Sequence, residues 1–225
     1  MNERLEDKFR LDEQGIALRA ARELRDGMCV NLGIGIPTMV SNCIPEGRTI
    51  IFQSESGVVG YGPITSAEEA DWDLVNASAQ PVSLVPGTSF LDHAESFAMI
   101  RGGHIDVAIL GALQVSERGD LANWRVPGKI GGPGGGMDVV SGAKRVIVTF
   151  THTARDGTPK IVRDCTYPIT GRRCVDLIIT DIAVIEVTPI GLLLREVAPG
   201  WTPREVQRLT GAPLQIDPGL KQIEL

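Results

Sequence analysis

A glutamate flanked by serines and closed by a glycine, Ser54-Glu55-Ser56-Gly57, ends the apolar run Thr49-Ile50-Ile51-Phe52-Gln53. A β-type run delivers a side chain rigidly to the strand's carboxyl end, where open α/β sheets bind ligands. Glu55 is therefore placed as a reactive carboxylate, or it is a solvated strand-end residue, as most glutamates are. Glycines at Gly57, Gly60 and Gly62 let the following backbone approach a substrate closely.

Two glycine loops accompany this carboxylate. Gly33-Ile34-Gly35 follows a first apolar run, and with Glu55 about 20 residues on it mimics a dinucleotide-binding unit in which Glu55 holds a ribose. Thr38, preceded by Pro37, stands where that unit has its third glycine. The second loop is the tract Pro127-Gly128-Lys129-Ile130-Gly131-Gly132-Pro133-Gly134-Gly135-Gly136-Met137. It is not a P-loop, because Gly128-Lys129 is followed by Ile130 and not by the hydroxyl residue that meets magnesium. Apolar patterning resumes at Met137-Asp138-Val139-Val140, which favours a loop pressed against a ligand over a mobile linker. Two such loops and a strand-end carboxylate can converge on a reacting carbonyl, with bare backbone amides as oxyanion donors. His152, after an apolar run and before Asp156-Gly157, reads as a turn residue in preference to a general base. Arg172-Arg173 reads as a solvated or partner-facing pair.

The composition narrows the partners. With 225 residues, 43% hydrophobic and 22% charged, the chain can bury a substantial core, and a single domain over 1–225 is expected. A net charge of −6 and 4% aromatic residues argue against nucleic acid and anionic membranes as partners. The charged start Met1-Asn2-Glu3-Arg4-Leu5-Glu6-Asp7-Lys8 has no apolar signal core, and no apolar stretch reaches membrane-span length. Cys29, Cys43, Cys165 and Cys174 form no CxxC pair, and His93, His104 and His152 are far apart, so neither zinc nor a disulfide scaffold is signalled. Cys29 and Cys43, in apolar surroundings, read as buried thiols of a cytoplasmic protein.

The positioning elements follow from periodicity. Leu11–Asp26 has helical spacing up to Gly27; Met28–Leu32 reads as a buried strand; Pro37 starts a helix through Ser41; Thr49–Ser54 is the second strand. Ser89–Arg101 is helical in pattern and closes at Gly102-Gly103. Ile105–Gly111, Arg145–Phe150, Ile182–Val187 and Leu192–Val197 read as strands. Thr202-Pro203-Arg204-Glu205 has capping-box spacing, so a short helix is expected to close the fold.

Four motifs, in order, carry a family resemblance. Val30-Asn31-Leu32-Gly33-Ile34-Gly35-Ile36-Pro37-Thr38, Ser54-Glu55-Ser56-Gly57, Met99-Ile100-Arg101-Gly102-Gly103-His104-Ile105-Asp106 and Gly119-Asp120-Leu121-Ala122-Asn123-Trp124 together resemble the β subunit of a family I 3-oxoacid CoA-transferase. The resemblance covers almost the whole chain. It implies an open three-layer α/β/α sandwich paired with a similarly folded α subunit in a heterodimer or heterotetramer. It implies Glu55 as the catalytic nucleophile, with Asn31, Gly33, Gly35, Gly135 and Gly136 around the acyl and thioester groups. The implied reaction moves CoA from an acyl-CoA donor such as succinyl-CoA to a carboxylic acid such as the 3-oxoacid acetoacetate, as in ketone body metabolism. It passes through a glutamyl-CoA thioester, without metal or redox cofactor.

Two positions depart from the family pattern: Ser56 replaces the usual asparagine, and Gly134-Gly135-Gly136-Met137 stands for the usual Gly-Gly-Ala-Met in a tract about one residue shorter. Cys165-Thr166-Tyr167-Pro168-Ile169-Thr170-Gly171 resembles some 3-oxoadipate transferases, so that branch and acetate-dependent transfer are alternatives. Outside the family, a dinucleotide-binding oxidoreductase subunit and a noncatalytic scaffold subunit remain as competing readings.

Overall fold

The computed structural model describes residues 5, 8–126, 128, 132 and 134–225. In chain order the elements are α1 (Glu13–Ala21), β1 (Cys29–Leu32), a 3₁₀ helix (Ile36–Cys43), β2 (Ile51–Gln53), β3 (Val58–Ile64), β4 (Val82–Phe90) and α2 (His93–Arg101). They continue with β5 (Val107–Gly111), β6 (Gln114–Ser116), β7 (Leu121–Ala122), α3 (Gly136–Gly142), β8 (Val146–Phe150) and β9 (Ile161–Val162). The last are β10 (Leu177–Thr180), β11 (Ala183–Thr188), β12 (Gly191–Val197), α4 (Pro203–Leu209) and β13 (Leu214–Gln222).

Ten strands form one sheet in the order β13-β12-β11-β10-β8-β5-β1-β2-β3-β4. The middle five, β10-β8-β5-β1-β2, run parallel, and antiparallel strands flank them on both sides. β1, β5, β8 and β10 are short runs rich in Val, Ile and Leu that the fold buries almost completely, as parallel strands covered on both faces must be. α1 and the 3₁₀ helix pack on each other, and between them they cover β1, β5, β8 and β10; α2 packs on α3. The chain thus forms the open α/β sandwich expected of it. A second sheet, in the order β7-β6-β9, holds the segment that follows β5.

Local chemistry sets the element ends. Asp12 caps α1 by accepting from the Gly15 amide at 2.7 Å. The helix stops well before Asp26 because residues 22–28 turn back to start β1, tied by the Gly27 amide to Thr49 O at 2.9 Å. Buried Arg19 fastens α1 to β12 through two bonds to Glu196, at 2.8 and 2.7 Å, and also donates to Glu23, four residues on, at 2.8 Å. The helix expected over Ser89–Arg101 begins only at His93. Asp92 and Glu95 form a capping box there, and Ser89 and Phe90 pair with Val59 and Val58 as the end of β4. Thr202 and Glu205 cap α4 as expected, but α4 does not close the fold, because β13 follows and pairs with β12.

His152 is fully buried behind the end of β8. Its Nδ1 lies 3.0 Å from Thr180 Oγ1 and its Nε2 2.9 Å from Thr210 Oγ1, so it ties β10 to the end of α4. Burial drives its pKa down to about 4, only partly opposed by the charge of Asp181. The unfolded chain therefore binds a proton between pH 6.5 and 4 that the folded chain does not. The stabilisation is present above pH 6.5 and is lost as pH falls towards 4, by roughly 3 kcal/mol at 1.36 kcal/mol per unit. Denaturant unfolding at a series of pH values should show this loss in the native chain and a flatter profile in His152→Gln.

Candidate active site

Glu55 rides on a tight turn. The Gly57 amide donates to Ser54 O at 3.0 Å, which makes Glu55 and Ser56 the corner residues of a β-turn between β2 and β3. Ser54 and Ser56 hydroxyls lie 2.9 Å apart across it. Gly57 has φ of +109°, and a Cβ there would run into the carbonyl of Leu91, so only glycine closes this turn. The carboxylate is thus held two residues beyond β2, in a turn and not at the tip of a longer strand.

The turn is supported from behind by a buried polar network. Asn31 Nδ2 donates to Gln53 Oε1 at 2.8 Å and to Gln53 O at 3.3 Å. Gln53 Nε2 donates to Ser96 Oγ at 2.8 Å and to Ser54 O at 3.1 Å, and Ser96 Oγ donates to Ser54 O at 3.2 Å. These bonds tie β1, β2 and α2 to the residue that precedes Glu55.

In front of the turn lies a cavity of about 780 Å³. Its wall is built from the loop after β1 (Gly33, Ile34), the turn after β2 (Ser54–Ser56) and the chain from Leu110 to Leu113 at the end of β5. It is completed by the β3–β4 connection (Val75, Asn76, Ala77, Ala79), by Asn123 and Trp124, and by Gly132 and Gly134–Gly136. β1 has β2 on one side and β5 on the other, so the loops leaving β1 and its neighbours diverge and leave a crevice at their carboxyl ends. No lysine, arginine or histidine is among the described residues of this wall.

Of the six residues expected to form the site, Glu55, Gly33, Gly135 and Gly136 are brought to the cavity. Asn31 and Gly35 stand outside its wall. Asn31 is buried within β1 and spends its amide hydrogens on Gln53, while its Oδ1 has no partner among the described residues. This arrangement makes Asn31 a support for the turn, with its amide hydrogens donated to Gln53. The Gly35 amide donates to Ser78 Oγ at 3.2 Å. The glycine turn then enters a 3₁₀ helix, which is not the α-helix that a dinucleotide unit presents. Of the glycine tract, Pro127, Lys129, Ile130, Gly131 and Pro133 lie outside the described residues.

Gly135 touches the Glu55 carboxylate directly. The Glu55 carboxylate occupies the space a Cβ on Gly135 would need, and the Gly135 amide donates to it. Gly136 differs: a Cβ there would sit 3.6 Å from Thr170 Cγ2 and 3.8 Å from Asn123 Oδ1, ordinary contact distances. The glycine found where the family has alanine is therefore sterically neutral.

The Glu55 pKa is raised, first by burial and then by the charge of Asp138 on α3, while His93 on α2 and the Gly135 amide pull it down. Asp138 is itself held ionised by Arg101, whose Nε lies 2.7 Å from its Oδ1. A poorly solvated carboxylate is a better nucleophile than one in water. Sequence reasoning assigned no part to Gln53, Ser96, His93, Arg101 or Asp138. Their signal lay only in long-range packing of α2 and α3 against the turn.

The family model described as Coenzyme A transferase matches residues 14–208. The chain belongs to the coenzyme A transferase family. Within it, the acetate CoA-transferase subunit beta of Escherichia coli K12 is 49% identical over 91% of this chain and 94% of its own length. The human mitochondrial succinyl-CoA:3-ketoacid coenzyme A transferase 2 is also 49% identical, over 93% of this chain but 41% of its own length. A solved acyl-CoA transferase from Escherichia coli O157:H7, a thioester complex with CoA, superposes with a TM-score of 0.74 at 26% identity, covering 99% of this chain and 44% of that one. This CoA-transferase chain thus spans less than half of the latter two proteins. Its expected kinship with family I β subunits stands.

Two substitutions test the geometry. Gly135 has φ of −81°, so Gly135→Ala meets no backbone penalty and displaces only the end of the Glu55 side chain. Its thermal midpoint should stay within a few degrees of native while turnover falls on the order of 100-fold or more; Gly136→Ala should keep activity. Asp138→Asn removes a charge that opposes Glu55 ionisation, so the acid limb of the pH–rate profile should move down.

Proposed function

We propose that this chain is the catalytic β subunit of a CoA-transferase that works through a covalent glutamyl-CoA thioester on Glu55. The observation that carries the reading is the contact of the Glu55 carboxylate, on its rigid turn, with the Gly135 amide inside the cavity. A Glu55 oxygen attacks the thioester carbonyl of the donor, the C–S bond breaks, and an acyl-glutamyl anhydride and CoA thiolate result. The thiolate attacks the glutamyl carbonyl, the anhydride C–O bond breaks, and the donor leaves as a carboxylate. The acceptor carboxylate reverses both steps, leaves carrying CoA and restores Glu55. No net proton or electron is exchanged, which accords with a scheme free of metal and redox cofactors.

Each addition passes through a tetrahedral oxyanion, for which the amides of the glycine loops serve as donors. Succinyl-CoA is the proposed donor and acetoacetate the proposed acceptor; the resemblance to succinyl-CoA:3-ketoacid transferases supports the pair. A dicarboxylate acceptor such as 3-oxoadipate is the second reading, favoured by Thr170, which belongs to the Cys165–Gly171 stretch and bonds the cavity residue Asn123 at 2.6 Å. Acetate is the third acceptor, in line with the acetate transferase subunit. The described cavity wall has no cationic side chain for the phosphates of CoA, which supports an α subunit that supplies part of the CoA site. We place the assembled enzyme in the cytoplasm; among the described residues no helix is long and apolar enough to cross a membrane.

The test is peptide mass spectrometry of the chain assembled with its α subunit, after acyl-CoA treatment and borohydride reduction without acceptor. A reduced product should map to Glu55, and Glu55→Gln should lose at least about 1,000-fold in turnover. An unmodified Glu55 in a complex that binds acyl-CoA would sink the mechanism.

A further inference from the structure

Two of the loops that wall the Glu55 cavity are far apart in the chain: Gly33-Ile34 after β1, and the β3–β4 connection with Val75, Asn76, Ala77 and Ala79. The glycine loop is anchored at its two ends. The Gly33 amide donates to Ile109 O at 2.8 Å, and beyond the loop the Thr38 hydroxyl donates to Gly35 O at 2.7 Å. Between these anchors Ile34 stands exposed.

The β3–β4 connection holds one shape at this point because buried Asn76 organises it. Asn76 Oδ1 accepts from the amides of Ser78 at 2.9 Å and Gln80 at 3.1 Å, and the Ala79 amide closes the turn on Asn76 O at 3.0 Å. Ala79 has φ of +56°, a left-handed conformation that alanine keeps only where its surroundings impose it. The turn carries Ser78 to the glycine loop. Ser78 Oγ accepts from the Gly35 amide at 3.2 Å and donates towards Thr38 Oγ1 at 3.5 Å, which closes a circuit from Gly35 N through Ser78 and Thr38 back to Gly35 O. Among the described residues these are the only hydrogen bonds between residues 33–38 and 75–80. The Gly35 amide is thereby spent on a hydroxyl 43 residues away.

We infer that Ser78 is a positioning residue for the transfer reaction: its hydroxyl clasps the glycine loop to the Asn76 turn and so fixes two walls of the Glu55 cavity relative to each other. The inference rests on the CoA-transferase reading. It gives Gly35 a part from outside the cavity wall, as the tether through which Ser78 acts. Misplacing reacting groups by about 1 Å can cost about 100-fold in rate, so a loosened wall registers in the chemistry before it registers in the fold.

The experiment measures the rate of formation of the Glu55-bound CoA thioester from saturating succinyl-CoA in the complex with its α subunit. In Ser78→Ala this rate should fall on the order of 10-fold. The thermal midpoint should stay within a few degrees of native, because one exposed hydrogen bond contributes little to stability. The acid limb of the pH–rate profile should stay in place, because the substitution leaves Asp138, His93 and the Gly135 amide around Glu55 as they are. Ser78→Thr, which keeps the hydroxyl, should recover most of the rate. A native rate in Ser78→Ala, a shifted acid limb, a collapse of the thermal midpoint, or a loss in Ser78→Thr equal to that in Ser78→Ala would overturn the inference. Absence of the thioester in the native complex would instead remove the transferase reading beneath it.

Discussion

β1 is the strand on which the rest of the site depends. The chain adds β2 to one side of it and β5 to the other, and their carboxyl ends are therefore left by loops that diverge. That divergence is a property of strand order, and it opens a crevice without a long insertion or a second domain. Glycine at positions 33 and 135, and the turn closed by Gly57, bring bare backbone to the edge of the crevice. Because the parallel strands are buried on both faces, the positions of those loops are fixed by a packed core.

The carboxylate at the centre is held under opposing influences. Burial and Asp138 disfavour its charge; the Gly135 amide and His93 favour it; Arg101 neutralises Asp138 from the neighbouring helix. Such an arrangement keeps Glu55 able to ionise yet poorly solvated, which suits the nucleophilic role proposed for it. The Asn31–Gln53–Ser96 network carries no charge and stands behind the turn. It fixes where the carboxylate is; burial first, and then charges on α2 and α3, set how readily it ionises.

Recognition is distributed differently from chemistry. The described cavity wall is largely apolar, with the Gly135 amide against Glu55. In the proposed mechanism the backbone donors would serve every acyl group alike, because all thioesters present the same carbonyl. Side chains from the β3–β4 connection and from the segment after β7 supply the part of the described wall that is not backbone of the glycine loops or the ends of β2 and β5.

Much of the inner sheet was legible in the residues themselves. The runs at β1, β2, β5, β8, β11 and β12 are short and apolar, and the box at Thr202 and Glu205 is local chemistry that needs no tertiary partner. The glycine loops were legible because a bare amide announces itself in three or four positions; Glu55 was read at a strand tip, and the structure puts it in the turn beyond β2. β3, β4 and β13 were not legible, since glycine and proline interrupt them and bulges break their pairing, so their hydrogen bonds come from partners distant in the chain. Nor does sequence spacing show that Asn31 turns its amide onto Gln53, or that the start of α3 brings Gly135 against Glu55. Residue type and local order determine what a group can do; strand order and packing decide what it meets, because burial and long-range hydrogen bonding exist only once the sheet has closed around it.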